Sequence, residues 1–496
     1  MAIYKTFQLT DSQMISIIRR GLKKTQSPKK IIIVGAGMAG LVAASLLKDA
    51  GHHVEILEAT ERVGGRIFTI RSPFADGQYL DVGPMRIPHI HHLTLEYIRK
   101  FRLPINPFLN ITPNDRIYVN GIKTLLKVYE QNPDILNFPV APHEKGKTVD
   151  ELIELATKPI TDFVNRDPQR NWNVVVRELE AYSLDTFFIH NPVGPPLSRG
   201  AIEMIKVITG LEGISELSFT ELLREYLLIG SGLVHFYEIT GGLDRLPKAF
   251  LPQLETDIFF EQKITKIVQH DNQVTIHSVH PQTKKPFKNT GDLALITIPF
   301  SVLRTIEVEP YHSFSHGKRK SIRQLHYVPA TKIGIQFKRR FWEEEGLYGG
   351  KTISDLPIRY TYYPSHGFGE PSGIVLASYT WEDDALIWDS MSEENQLQLA
   401  LKNMAVIHGE NIIPDFVTGV AHNWSQYPYS AGAFSMFKPE QETELFPNIL
   451  KPEGRVYFAG EHASTTARSW IQGAIESGIR VAYEMNDLPS LLMGKG

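Results

Sequence analysis

An α/β fold built on a parallel, Rossmann-type dinucleotide-binding sheet is predicted by three features of the 496-residue sequence. Residues 31–34 are β-branched and uncharged, as a parallel strand buried on both faces requires. Gly35-Ala36-Gly37-Met38-Ala39-Gly40 follows directly and fits G-x-G-x-x-G. A helical stretch then leads to a second strand, residues 53–57, which ends on Glu58, an acid about 20 positions past the glycines.

Each part has a physical reason. Gly35 permits a tight turn, Gly37 lets a pyrophosphate approach the backbone, and Gly40 lets the next helix pack close to the strand. The helix is predicted over residues 41–50, stopping at Gly51. Glu58 suits a pair of ribose hydroxyls and argues against a 2′-phosphate. In this order the pieces form an ADP-binding unit, with Met38, Ala39 and Ala59 among the expected cofactor contacts. After Glu58 comes Ala59-Thr60-Glu61-Arg62-Val63-Gly64-Gly65-Arg66. Its glycine pair lets another backbone segment lie against the diphosphate, and Arg66 is expected to cancel part of the charge.

Near the other end stand Gly454-Arg455-Val456-Tyr457-Phe458-Ala459-Gly460-Glu461-His462 and Trp470-Ile471-Gln472-Gly473-Ala474. Together with the first motifs they resemble the paired FAD fingerprints of the flavin amine oxidase superfamily. That resemblance implies FAD as cofactor, contacted by Gly64, Gly65, Arg66, Gly460, Glu461, Trp470, Ile471 and Ala474.

Composition narrows the class. The length allows two or three domains, and 42% hydrophobic residues suffice for large cores. A net charge of −3 gives no global pull toward nucleic acid or acidic membranes. With no cysteine there is no disulfide, thiolate metal site or cysteinyl nucleophile, and no flavin attached through cysteine. FAD is therefore expected to be non-covalent. Residues 1–29 lack a secretory pattern, and the longest uncharged run, 31–47, is shorter than the ~20 residues of a spanning helix. A soluble, cytoplasmic protein is expected, with export left open.

Along the chain, an N-terminal amphipathic helix is capped by Thr10, Asp11 or Ser12, with Met14, Ile15, Ile17 and Ile18 on its apolar face. In Leu80-Asp81-Val82-Gly83-Pro84-Met85-Arg86-Ile87 the Gly-Pro turn places Arg86 just past a segment running by the flavin. His89, His91 and His92 lack accompanying carboxylates and converge poorly, so no metal is expected. Asn120-Gly121 marks a hairpin. Residues 126–231 read as mainly helical, and 236–242 as the return to the flavin domain. The basic cluster Lys318, Arg319, Lys320 and Arg323 reads as a solvated helix face. Strands are predicted over 330–337, 360–363 and 374–379, a helix over 393–407, and a pocket-lining aromatic loop over 424–437. The expected domains are discontinuous: 29–78, 238–320 and 440–488 bind FAD; 1–28, 79–125 and 321–439 form a mixed-sheet substrate domain; 126–237 is an inserted helical domain.

Over nearly its whole length the sequence resembles the flavin-dependent L-amino-acid oxidases of that superfamily. The resemblance implies the amine-oxidase fold and a substrate whose α-hydrogen leaves as hydride from Cα to flavin N5. The imino acid hydrolyses to a 2-oxo acid and ammonia, and dioxygen becomes hydrogen peroxide. Matched residue by residue, Arg86 in G-P-M-R binds the substrate carboxylate, Tyr379 adds a hydrogen bond to it, and Lys332 holds a water near N5. Phe434 and Trp470 are pocket walls, and Ile264 falls where the family makes a backbone contact to adenine. Gly83, Pro84, Met85 and Trp424 complete the expected cofactor contacts. Three positions depart from the pattern: Ser469 replaces a glycine whose carbonyl receives the substrate ammonium, Tyr226 falls near a mobile histidine, and Gly230 stands for a phenylalanine.

The resemblance also names the alternatives: an L-amino-acid 2-monooxygenase giving an amide, or a mono- or polyamine oxidase, which Arg86 disfavours. A flavin-bound interaction protein would have no use for Lys332, Arg86 and Tyr379 together. The expected partners are a free L-amino acid and dioxygen, with no nucleic acid and no membrane, and the expected assembly is a homo-oligomer, a dimer. Large apolar or aromatic side chains are the expected substrates, ahead of lysine, glutamate and glycine, because Phe434, Trp470 and Tyr226 are aromatic and no acid falls at a matched wall position. Glu225, beside Tyr226, is the carboxylate that the helical insertion could add.

Overall fold

A computed structural model describes residues 9–230 and 234–488. The strand Lys30–Val34 lies at the centre of a five-stranded sheet, between His53–Leu57 and Leu293–Ile296. Ile258–Phe259 and Val456–Phe458 form its edges, and every pairing is parallel. The central strands are buried on both faces, which is why their sequences are unbroken apolar runs. The helix of the glycine motif, Met38–Ala50, begins three residues earlier than the predicted start at Leu41. Gly37 is its extended N-cap, so the helix starts inside the glycine motif and its free amides face the bend. The C-terminal helix Ile471–Asn486 packs on it so closely that a Cβ at Gly478 would sit 2.7 Å from the carbonyl oxygen of Ala39. The two fingerprints, remote in sequence, thus meet side by side.

A seven-stranded mixed sheet runs in the order Phe416–Asn423, Ala330–Phe337, Gly373–Trp381, Tyr360–Tyr362, Lys351–Ser354, Arg116–Val119, Ile122–Leu125. Ala330–Phe337 is buried throughout, and its register sets Lys332 directly opposite Tyr379. Tyr379 in turn faces Tyr360. Five helices between Val149 and Glu225 share one apolar core with this sheet, and a π-helical turn, Tyr226–Gly230, follows. Ser231, the end of the expected helical stretch, and the first eight residues of the N-terminal segment lie outside the described residues.

Phe236–Ile239 pairs with Ile87–Pro88 and Ile105–Phe108, and so braces the segment just after Arg86. One local reading changes. Lys318 is not solvated: it is fully buried, donates to the Ile449 carbonyl at 2.8 Å and lies 3.5 Å above the Phe458 ring centroid. A helix has a buried face whatever its charge, and Lys318 happens to be on it. Among the described residues no helix is long and apolar enough to cross a membrane.

Candidate active site

A cavity of about 750 Å³ runs between the parallel sheet, the seven-stranded sheet and the helices. Every site residue expected from the sequence lines it except Gly40. Gly40 serves packing, since a Cβ there would lie 2.1 Å from the Gly35 carbonyl oxygen. Gly37 is the opposite case: a Cβ would meet nothing within 4 Å, because this face of the turn opens on the cavity. Glu58 is held rigidly, accepting from the Ala36 amide at 2.8 Å and from the Thr60 amide at 2.9 Å. An open glycine face, a helix N-terminus and a fixed acid, with the second motif alongside, form a cradle that fits a dinucleotide such as FAD.

Arg66 lines the cavity beside the glycine pair. It ion-pairs with Glu461 at 2.8 Å and donates to the Ala433 carbonyl at 3.0 Å, so its charge is already balanced. Glu461 also accepts from the Ser435 hydroxyl at 2.7 Å and the Ser469 amide at 3.0 Å. Burial pushes its carboxyl up, but Arg66, His462 and these hydrogen bonds outweigh that, and the net shift is downward. The pair therefore ties the first fingerprint to the second. Ser469 itself has φ +68°, a left-handed conformation costly for serine and easy for glycine. The backbone here keeps the shape of the glycine that serine replaces.

Arg86 is half-buried and lines the cavity. It donates to the Tyr362 hydroxyl at 3.1 Å and to the Asn110 side-chain oxygen, and lies 5.3 Å from the Phe236 ring centroid and 5.6 Å from that of Tyr362. Every one of these partners is neutral, and among the described residues no carboxylate pairs with it. Burial opposes its charge, but Tyr362, Tyr379 and Tyr360 outweigh burial and hold its pKa above normal. Tyr379 presents its ring 4.5 Å below the Lys332 ammonium and stacks obliquely on Trp381. Lys332 is 1% exposed and donates to the Gly83 carbonyl at 2.6 Å and the Asp81 carbonyl at 3.2 Å. Burial lowers its pKa to about 7, opposed by Asp81 and assisted by Arg86. Trp424 donates to the Val82 carbonyl at 2.8 Å, so Lys332 and Trp424 together anchor the segment that carries Arg86.

The far wall was less legible. Tyr226 lines the cavity but turns its hydroxyl to Asp150, at 2.9 Å. Glu225, instead, reaches the Trp470 indole N–H at 2.9 Å and lines the cavity, so the wall is not free of acid as expected. Asn110 and Tyr362 were not anticipated as Arg86 partners. The Tyr360-Thr361-Tyr362 alternation put two tyrosines on one strand face, but nothing in sequence told which face met Arg86. His91 lies edge-on to Trp470 at 5.0 Å, and burial lowers its pKa to about 3.

The family model for flavin-containing amine oxidoreductases matches residues 38–486, spanning both fingerprints and everything between. The chain belongs to the flavin-containing amine oxidoreductase family. Relatives match end to end: YobN of Bacillus subtilis (strain 168) is 55% identical over 97% of this chain and 99% of its own length. An L-amino-acid oxidase of Siganus canaliculatus is 36% identical over 96% of this chain and 88% of its own. One from Vipera ammodytes ammodytes is 34% identical over 97% of each. Among solved structures, cyclohexylamine oxidase from Brevibacterium oxydans IH-35A superposes with a TM-score of 0.74 at 19% identity, over 93% of this chain and 99% of its own. Wild-type putrescine oxidase gives 0.69 at 18%, over 92% and 99%. At these identities the solved structures establish the shared fold, which is the amine-oxidase fold.

This amine oxidoreductase is thus a FAD-dependent enzyme. With paired fingerprints, the acid at Glu58 and no cysteine for a cysteinyl link, the flavin is expected to be released into the supernatant on acid precipitation, and colour left in the pellet would contradict non-covalent binding.

Proposed function

We propose that the enzyme oxidatively deaminates free L-amino acids to 2-oxo acid, ammonia and hydrogen peroxide. The observation that carries this reading is Arg86, a cation in a cavity whose protein partners are all neutral. A desolvated guanidinium without an anion is costly, and an α-carboxylate supplies the anion in a matching bidentate shape. An amine substrate would leave it unpaired. The similarity to enzymes named L-amino-acid oxidase supports the same conclusion.

When bound, FAD supplies the acceptor for the Cα hydride at N5 and the route for electrons to dioxygen. The protein orients and excludes. Arg86, Tyr362 and Tyr379 hold the carboxylate, the Ser469 carbonyl receives the amino group, and Trp470 and Phe434 close the pocket against water. No strong base is required once the amine is neutral. Anaerobic mixing with a panel of L-amino acids should bleach the flavin, and turnover in air should give 2-oxo acid with hydrogen peroxide; an amide product would transfer the reading to a 2-monooxygenase. We further propose a homodimer working in the cytoplasm, with light scattering on the purified enzyme as the test of assembly.

Substrate preference follows from the wall. Leu222, Ile229, Phe434, Met436 and Trp470 make it mainly apolar, and burying a large apolar side chain contributes about 1.5–3 kcal/mol. Phenylalanine, tyrosine, tryptophan, leucine and methionine should therefore exceed glycine and glutamate in kcat/KM by roughly tenfold or more. Equal values for leucine and glycine would refute an apolar wall.

A further inference from the structure

Resting on the deamination reading, the charge inventory around Trp470 points to a second recognition element. Glu225 ends the helix Phe219–Glu225, and its Oε2 accepts the Trp470 indole N–H at 2.9 Å. Its other oxygen has no hydrogen-bond partner among the described residues, and the side chain lines the cavity. The nearby cations are already committed. Arg224 pairs with Glu221 and, at 2.7 Å, with Glu442; Arg468 pairs with Glu221 and, at 2.8 Å, with Glu442. Two arginines thus balance two glutamates. Glu225 is left over, an acid facing substrate space with no cation of its own.

Glu225 is half-buried, and in its ionised form a carboxylate without a cation gains from one brought into the cavity that it lines. We propose that Glu225 receives a cationic group at the end of the substrate side chain, so that lysine- and arginine-like amino acids are substrates alongside the apolar ones. The two classes are compatible in one pocket: a long basic side chain lays its methylene stem on the apolar wall and presents only its tip to the acid. The same cavity is lined by Arg86, a cation without an anion among the described residues. A zwitterion with a charged tail would satisfy both.

The groups facing Glu225 set when it is ionised. Burial raises its pKa to about 7, against the Trp470 N–H; Glu221 raises it further, while Arg224 and Arg468 oppose. Glu442 holds both arginines, and Tyr226, the next residue, is engaged with Asp150. The carboxylate form therefore predominates above that value, and recognition of a cation should strengthen as pH rises through it.

The test compares L-lysine with L-norleucine, which has the same stem and no ammonium, in holoenzyme and in Glu225→Gln. Glutamine keeps an acceptor for the indole and removes the charge. The lysine-to-norleucine ratio of kcat/KM should fall by about 30-fold or more in the variant. In the parent the ratio should rise between about pH 6 and about pH 8, the α-amino titration common to both substrates largely cancelling. Glu225 acting only as a support for Trp470 would slow both substrates together, so an unchanged ratio overturns the proposal. A pH-independent ratio in the parent overturns it without recourse to any variant. Failure of every amino acid to bleach the flavin would overturn the deamination reading itself, and this inference with it.

Discussion

Replacing Arg86 with alanine is expected to lower kcat/KM for amino-acid oxidation by about 30-fold to several thousand-fold while FAD stays bound. The range corresponds to the roughly 2–5 kcal/mol lost when one partner of a desolvated charge pair is removed. Flavin binding should survive because the fingerprints and the backbone of Gly83, Pro84 and Met85 are untouched, and Lys332 and Trp424 still anchor that segment. The local cost is small, since Asn110 and Tyr362 lose a neutral-to-cation hydrogen bond and no carboxylate is orphaned. Discrimination is the sharper readout. The preference for phenylalanine over phenethylamine, which lacks the carboxylate, should collapse in the same proportion as kcat/KM falls. Lysine at this position should restore little, because its single ammonium cannot reproduce the planar fork. An alanine variant that oxidises amino acids as fast as the parent would remove the carboxylate clamp from the proposal.

Lys332→Met is expected to separate the two half-reactions. Lys332 lies 4.5 Å from the Tyr379 ring centroid, donates to the Gly83 carbonyl at 2.6 Å and sits inside a strand buried along its full length. On the proposed reading, with Lys332 beside flavin N5, the negative charge of dioxygen reduction would develop next to its ammonium, and removing one preorganised charge-stabilising group costs about 10²–10³-fold. Flavin bleaching by substrate without oxygen should change far less. The pH sign follows from the lowered pKa of about 7: the amine is charged below it and neutral above it. The oxygen-dependent rate of the parent should therefore fall as pH rises through that value, and the methionine variant should show no such limb. Stopped-flow mixing of reduced enzyme with oxygenated buffer measures it. An oxygen rate unaffected by the substitution would leave Lys332 a purely structural anchor of the Arg86 segment.

What the sequence determined by itself was the cofactor cradle. The glycines, the acid at Glu58 and the second fingerprint are local patterns, and local backbone geometry follows from spacing and residue type. Arg86, Lys332 and Tyr379 were legible too, but only through motifs resembling those of known enzymes, since none is marked out by composition or periodicity. The tertiary structure decided which charges are satisfied. Arg66, expected to cancel part of a diphosphate's charge, also pairs with Glu461 from the opposite end of the chain. Lys318, read as solvated, is buried because one face of its helix must pack. Glu225 lines the cavity as an acid without its own cation, while its neighbour Tyr226 is drawn off to Asp150. Burial and counter-ion assignment depend on contacts between residues remote in sequence, and a single sequence carries no record of those distances; the sheet register that sets Lys332 against Tyr379, and the helix packing that sets Glu225 against Trp470, exist only once the chain has folded.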